Sequence, residues 1–471
     1  MLVGKPLPFI VDYVEKLSKG VEASQRCGLS GGQRAWLSFC LMCIIVTESV
    51  CWRRFVRAGL GRYSEALLSF YFRCPLAWGV LLGISLRLVL ESFETWEGIL
   101  VIDDSGKKRS KTTKRIPYVH YYKDKEGTGT ICGQETVFVV LVTPLVTLPV
   151  GYEFYQPDPA YTAWSKVERR LRKQGVPKAM RPKPPPPNPH YPTKQQIALA
   201  LLEQFGRDCP AVRVKAVLAD ALYGTADFLD KAARLFAPTQ VISQLRGNQN
   251  VCDRRRSWKL EAYFQAHPGV LTTLTGRGGK TQQIIVGSAR LYVEAQKGVR
   301  FVIAIRYPDE PESRYLVASD LSWRAEDIAR AYTLRWLVET VIEDLKVHEG
   351  WGQSTKQPGV EGSRRVLILS LLCDHCLLLH PEQQARATAK QPLFTIGSLQ
   401  RRLKITAFMA WLEQWLEGAG GADKIAQLTA AILPLVPLQV SEKHMSGRDL
   451  GRLKSTPGLV YRAKEVQAAH A

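Results

Sequence analysis

Acid is what this sequence is short of. Its 43 Asp and Glu stand against 64 Lys and Arg, giving a formal charge of +21 and a pI near 9.6. That excess favours a polyanionic partner, with nucleic acid ahead of an anionic membrane. Long apolar runs are also missing. The segments 35–46 and 76–86 are too short to span a bilayer, and 136–150 contains Pro144 and Pro149 and reads as two strands joined by a turn. The opening residues carry Pro6, Pro8 and Asp12 rather than a basic start leading into an apolar stretch, so a secretory leader is not expected. The ten cysteines make no disulfide framework: Cys40 and Cys43, and Cys373 and Cys376, form C-x-x-C pairs inside apolar, helix-like segments more than 300 residues apart. Buried free thiols are expected there rather than zinc ligands, which suits a reducing compartment. The expectation is a soluble cytoplasmic protein working at the nucleoid. No internal repeat is visible.

With 471 residues, 46% hydrophobic and 23% charged, the chain is long and apolar enough for one large core or two to three domains, and wholesale disorder is excluded. Residues 1–97 have apolar spacing suited to packed helices, with Ser64 and Glu65 marking one helix start. From Gly98 the pattern turns to strand. Ile99–Ile102 is a continuous apolar run ending in Asp103, Asp104, Ser105 and Gly106, and the basic stretch KKRSKTTKR follows at once. A helix-like WSKVERRLRKQG leads into PKAMRPKPPPPNPHYPTK; nine Lys and Arg face the lone Glu168 between Trp164 and Lys194. A polyproline run continues neither a helix nor a central strand, so this segment is either a solvated linker or a basic arm along phosphates. Helix 195–205, strand 214–219 ending at Asp220, helix 226–235 and strand 240–245 come next. From Asn248 to Asp320 the pattern is persistently β. Apolar 366–379 reads as a core helix, and the polar, basic tail from Ser441 is expected to fray.

The chemistry gathers at three carboxylates. Asp104 and Asp220 each close an apolar run; as parallel neighbours those strands would deliver both to one carboxyl-end edge, where open α/β sheets place ligands. The third comes from AEDIARAYTLRWLVETVIEDLKVH, 325–348, read as one helix. Tyr332, Arg335, Glu339 and Lys346 stand at offsets of three, seven and fourteen from the first, which confines them to a sector of roughly 60°. Leu334, Val338, Val341 and Leu345 form a second stripe for burial. Taken alone, such a charged helix is more often a solvated surface; the two upstream aspartates raise the odds. Three clustered carboxylates shift their pKa or recruit a cation, and hard oxygen donors suit Mg²⁺ or Mn²⁺, two ions serving in-line phosphodiester displacement.

These residues resemble the insertion-sequence DDE transposase family conventionally numbered four. The likeness spans roughly 98–379 and rests on Tyr-x2-Arg-x3-Glu-x6-Lys at Tyr332, Arg335, Glu339 and Lys346, on Ile-Asp-Asp-Ser at 102–105 and on Ala-Asp-Ala-Leu-Tyr-Gly at 219–224. The resemblance implies an RNase H-like α/β core interrupted by a β-rich insertion and preceded by a helical region. It implies a metal-binding triad of Asp104, Asp220 and Glu339, with Asp104 preferred over Asp103 because the family's catalytic aspartate directly precedes Thr or Ser; here Ser105 stands where Thr is commoner. Tyr332, Arg335 and Lys346 would contact phosphates near the cleaved bond. Terminal inverted repeats, target DNA, a homodimeric synaptic complex and cut-and-paste movement, in many members through a hairpin, are implied as well. Aromatics such as Trp258, Tyr292 and Trp323 are candidates to receive a flipped base, and each is more readily a packing residue. The expected layout is a helical region at 1–97, a candidate for DNA-end binding, core strands at 98–247, the insertion at 248–320, core helices with Glu339 at 321–390 and a C-terminal region at 391–471, a candidate for dimerisation. An RNase H-fold nuclease without strand transfer, and a catalytically silent transposase-derived DNA-binding protein, are the alternatives.

Overall fold

Strand β1, Glu97–Lys108, is the axis on which the rest is hung. The computed structural model describes residues 5–109, 116–123, 129–237, 239–275, 281–354, 357, 359–416, 422–433, 438–441 and 443–444. Before β1 come five helices, α1 Pro8–Gln25, α2 Gly31–Thr47, α3 Trp52–Ala58, α4 Glu65–Arg73 and α5 Trp78–Ser92. Their starts follow local chemistry. The Ser30 hydroxyl and the Gln33 side chain cap α2 reciprocally, and the Ser64 hydroxyl accepts from the Leu67 amide at α4. Trp36, Phe39, Phe55 and Phe72 lie in the core they enclose.

After β1 the chain adds β2 Val119–Lys123, β3 Thr130–Val142 and β4 Thr147–Tyr155, then α6 Pro159–Lys173 and α7 Lys194–Asp208. Strand β5 Arg213–Ala219, α8 Ala226–Leu235 and β6 Gln240–Leu245 follow. The strands β4–β3–β1 pair antiparallel, while β1–β5 and β5–β6 pair parallel. With helices on both faces, this is a mixed α/β sheet behind a helical N-terminal region. In the β1–β5 pair Ile102 lies opposite Ala219, so the aspartates that follow leave neighbouring strands at one level.

The segment beyond β6 does not stand apart from that sheet. It consists of β7 Asn250–Asp253, β8 Arg256–Lys259, a short helix α9 Leu260–Ala266, β9 Val270–Thr275, β10 Thr281–Val293, β11 Gly298–Arg306 and β12 Arg314–Ala318. Strand β12 pairs with β6 and extends one sheet through β11 and β10 to β7 and β8. Helix α9 departs from the persistently β reading: Leu260, Tyr263 and Phe264 recur at helical spacing and are buried on one side.

Two expectations are corrected by the last third of the chain. The stretch 325–348 is not one helix: α10 Ala325–Tyr332 passes through a 3₁₀ turn, Thr333–Trp336, into α11 Leu337–Val347. The tighter turn changes the phase between Tyr332 and Glu339 yet keeps both at the sheet edge where β5 ends. Leu334, Val338, Val341 and Leu345 are buried against β1 and its neighbours, as their stripe requires; each contributes about 1.5–3 kcal/mol of apolar burial. Helices α12 Gly359–Leu378, α13 Pro381–Thr388, α14 Ile396–Leu416 and α15 Ala422–Ile432 complete the body. The tail does not fray at its described start. Val440 bridges Phe394, Lys443 and His444 are 2% and 0% exposed, and the Lys443 ammonium reaches Asp344 of α11 at 2.7 Å. Residues 445–471 lie outside the described residues. Among the described residues, no single helix is long and apolar enough to cross a membrane.

Candidate active site

The two aspartates of the Ile-Asp-Asp-Ser block lie inside β1 rather than beyond its end, so the alternation of a strand governs them. Ile99 and Val101 belong to the core on one face, under α11; Leu100 and Ile102 belong to the core on the other, under α7. By the same parity Asp103 and Ser105 face α11, and Asp104 faces α7. The contacts agree. The Asp103 carboxylate accepts from the Arg335 guanidinium at 3.1 Å and the Ser105 hydroxyl from Lys346 at 2.7 Å, while the Asp104 carboxylate accepts from Lys194 at 2.8 Å.

On the α11 face, Arg335 bridges two acids: it binds Asp103 and also Glu339 at 2.5 Å. Asp220 enters from the end of β5. Its carboxylate accepts from the Leu222 amide at 2.9 Å and its carbonyl from the Ser243 hydroxyl at 2.5 Å, which fixes the turn. Gly224 completes that turn because a Cβ there would stand 2.5 Å from the Gln244 carbonyl oxygen. The Tyr332 hydroxyl donates to the Ala219 carbonyl at 3.3 Å, one residue before Asp220. A cavity of about 620 Å³ opens here, lined by Asp103, Asp104, Asp220, Arg335, Glu339 and Lys346 among others. Burial, then the repulsion of Asp220, pushes the Asp103 carboxyl up to about 6 against the pull of Arg335. Tyr332 is kept a neutral phenol chiefly by burial.

On the α7 face the charges are closed off. Thr193 and Gln196 form a reciprocal cap that starts α7 at Lys194. A cation in the first turn opposes the helix dipole, and two acids offset that: the Lys194 ammonium binds Asp104 and also Glu135 of β3 at 2.6 Å. His120 of β2 binds the other oxygen of Glu135 at 2.8 Å. Burial raises the Glu135 pKa, but His120 and Lys194 outweigh it and hold the group below its usual range; Asp104 and Glu135 likewise hold Lys194 above its own, against its burial. Sequence reasoning missed Lys194, Glu135 and His120. The signal was available in two places: a capping box fixes Lys194 at a helix start, and a Glu stands at the head of the apolar run TVFVVLV.

The donor set suits a hard divalent ion. Carboxylate oxygens from β1, β5 and α11 converge on one cavity, and the mutual repulsion of Asp103 and Asp220 calls for a cation. Among the described residues, no three Asp, Glu, His or Cys side chains stand as a ready metal cage. The Arg335 guanidinium lies between Asp103 and Glu339, so an ion there takes the place of a cation the site already holds.

Other residues named from sequence fall elsewhere. Lys107 of the basic stretch turns inward to the Trp351 carbonyl and the Ser354 hydroxyl, and burial drives its pKa well down; Arg109 binds Gln134. Lys111–Arg115 lie outside the described residues. Trp323 is 4% exposed, a packing residue, and Trp258 is half-buried with the Arg256 guanidinium 4.0 Å over its ring. Tyr292 is half-buried within β10. Cys40, Cys43, Cys373 and Cys376 are fully buried in α2 and α12, with burial raising every thiol.

Two family models match the chain: a DDE superfamily endonuclease over residues 58–262 and a transposase DDE domain over 189–373. No curated protein matches it. Among solved structures, a piggyBac transposase synaptic complex with hairpin DNA is similar at 11% identity with a TM-score of 0.43, covering 91% of this chain and 85% of its own. By its two overlapping matches, the chain carries a DDE-superfamily transposase/endonuclease domain.

Proposed function

We propose that the chain is a DNA transposase that cleaves at terminal inverted repeats and joins the freed end to target DNA, of the insertion-sequence kind its Tyr-x2-Arg-x3-Glu-x6-Lys motif resembles. The observation that carries this reading is the convergence of Asp103, Asp104, Asp220 and Glu339 on one cavity that Glu343, Arg335 and Lys346 also line. Asp220, Glu339 and one aspartate of the Asp103–Asp104 pair would hold Mg²⁺ or Mn²⁺. Strand parity favours Asp103, which shares the face of Glu339, over the Asp104 assigned by motif register. Bound there, the ions supply activation of water or a 3′-hydroxyl and stabilisation of the leaving oxygen.

The chain's own residues do the rest. The Leu222 amide holds the Asp220 carboxylate and the Ser243 hydroxyl holds its carbonyl, so the carboxylate arrives pre-positioned. Arg335 and Lys346 stand ready to exchange their present partners for phosphate oxygens, and Tyr332 orients the end of β5. A homodimer bridging two DNA ends belongs to this reading, as does a cytoplasmic site of action.

The test is a cleavage and joining assay on a labelled duplex carrying the inverted repeat that flanks the gene, with Mg²⁺ and then with chelator. Metal-dependent nicking at the repeat boundary with joined products is the expected result. Cutting without regard to the repeat would reassign the chain as a general nuclease. Specific binding without cutting in either metal would reassign it as a silent descendant.

A further inference from the structure

Between Pro159 and Thr193 no residue is buried, although the stretch is fully described. It leaves the body at the end of β4 and returns at the start of α7. It is nevertheless ordered against itself. The Trp164 indole donates to the Pro182 carbonyl at 2.8 Å, and Arg181 binds both the Glu168 carboxylate at 2.6 Å and the Val176 carbonyl at 2.9 Å. Trp164 and Glu168 thus turn one side of α6 toward the proline segment. The other side carries Lys166, Arg169, Arg170 and Lys173, all exposed, at the i, i+3, i+4, i+7 spacing of a single stripe. Arg172, Lys178 and Lys183 add three more exposed cations.

Such a stripe is unfavourable by itself, because Lys166 faces Arg170 and Arg169 faces Lys173 as like charges at i, i+4. No acidic side chain on α6 relieves it, since Glu168 is engaged on the opposite side by Arg181. The proline segment cannot fold onto a core or join a sheet. What remains is a pre-ordered row of cations that loses little freedom when an extended polyanion lies along it. Its roots say which polyanion. The ring of Tyr155, last residue of β4, lies 5.2 Å from the Lys194 ammonium, and that ammonium binds Asp104 at the acidic cavity. The arm therefore projects from the rim of the candidate active site.

We propose that α6 and its proline brace form a phosphate-tracking arm that holds the backbone of duplex DNA outside the cavity, without reading sequence. It deepens the transposase reading, on which it rests, by assigning the flanking duplex to this surface. Neither Lys nor Arg in this row is positioned by a neighbouring element for bidentate base contact, so recognition is by charge and contour.

The experiment uses the full chain and fluorescein-labelled 30-base-pair duplexes of unrelated sequence, with affinity followed by anisotropy from low to physiological salt. The variant replaces Lys166, Arg169, Arg170 and Lys173 by Gln, which keeps helix propensity; a control replaces exposed Arg207, Lys231 and Arg234 of α7 and α8. The slope of log K against log salt is expected to fall by about 3 to 4 in the arm variant, at about 0.9 per lost phosphate contact, and to stay put in the control. Circular dichroism of the two variants should coincide. An unchanged slope in the arm variant, or an equal fall in the control, overturns the arm. A fall seen with single-stranded RNA but absent with duplex DNA overturns the partner. Absence of salt-dependent DNA binding by the parent chain overturns the transposase reading itself.

Discussion

Asp103 and Asp104 are adjacent, chemically identical and almost equally buried, at 8% and 7% exposure, yet they sit in opposite worlds. Both border the cavity, but one shares a face with Asp220, Arg335 and Glu339, while the other is paired on the opposite face with Lys194, which also binds Glu135 beside His120. A strand's period of two makes that division, and the helix above each face decides what it means. The open face leaves a carboxyl raised toward neutrality. The closed face ties its carboxylates to a cation. Chemistry is available where charge is incompletely satisfied, and structure is secured where it is satisfied.

The sharpest way to break this comparison is kinetic. Asp103→Asn and Glu339→Gln should each lower cleavage at the repeat boundary by at least about a thousandfold, the several kcal/mol that a metal ligand's loss removes, with duplex binding retained. If Asp104→Asn alone abolishes cleavage while Asp103→Asn does not, motif register outranks strand parity. Next in size is Lys194→Met, which leaves Asp104 and Glu135 without their shared cation. Denaturant unfolding should show a loss of about 3 kcal/mol, the lower end for breaking a buried pair. An unchanged midpoint would mean that face is not closed.

A smaller effect lies in pH. The Asp103 carboxyl is raised to about 6 when folded, above its unfolded value near 3.8, so between those values the folded chain holds the extra proton. Stability of the metal-free protein should therefore fall as pH rises from about 4 to 6, and Asp103→Asn should flatten that part of the curve. Thermal melts in chelator across this window would show it; an identical slope in the variant would place the titration elsewhere. Smallest is Arg335→Ala, expected to reduce the salt slope of DNA binding by about 0.9, one phosphate contact. A slope equal to the parent's would leave Arg335 as the bridge between Asp103 and Glu339 only.

Much of this was legible in the sequence because it followed from period and termination. The apolar runs before Asp104 and Asp220 read as strands, and the parallel pairing taken there as a condition is present between β1 and β5. Leu334, Val338, Val341 and Leu345 announced a buried stripe through a 3₁₀ break they did not reveal, since that break leaves the apolar residues inward. What stayed hidden was cross-chain. That Lys194 meets Asp104, ninety residues earlier, depends on where α7 docks, and no local pattern records docking. The choice between the two aspartates was hidden for a simpler reason: extending β1 to Lys108 placed both inside the alternation instead of beyond it.

The anchoring of Lys443 sets an order of events in the making of the molecule. Asp344, on the helix that carries Glu339, waits ninety-nine residues for its partner, and nearby Glu349 and Asp374 share the same buried surroundings. A ribosome adds residues at about 5–20 per second, so α11 is exposed for several seconds before that cation emerges. Until then Asp344 lacks its ammonium, and burial favours the protonated, neutral forms of Glu349 and Asp374. The helix that carries Glu339 is thus locked in place only after the ninety-nine residues that follow Asp344 have been added.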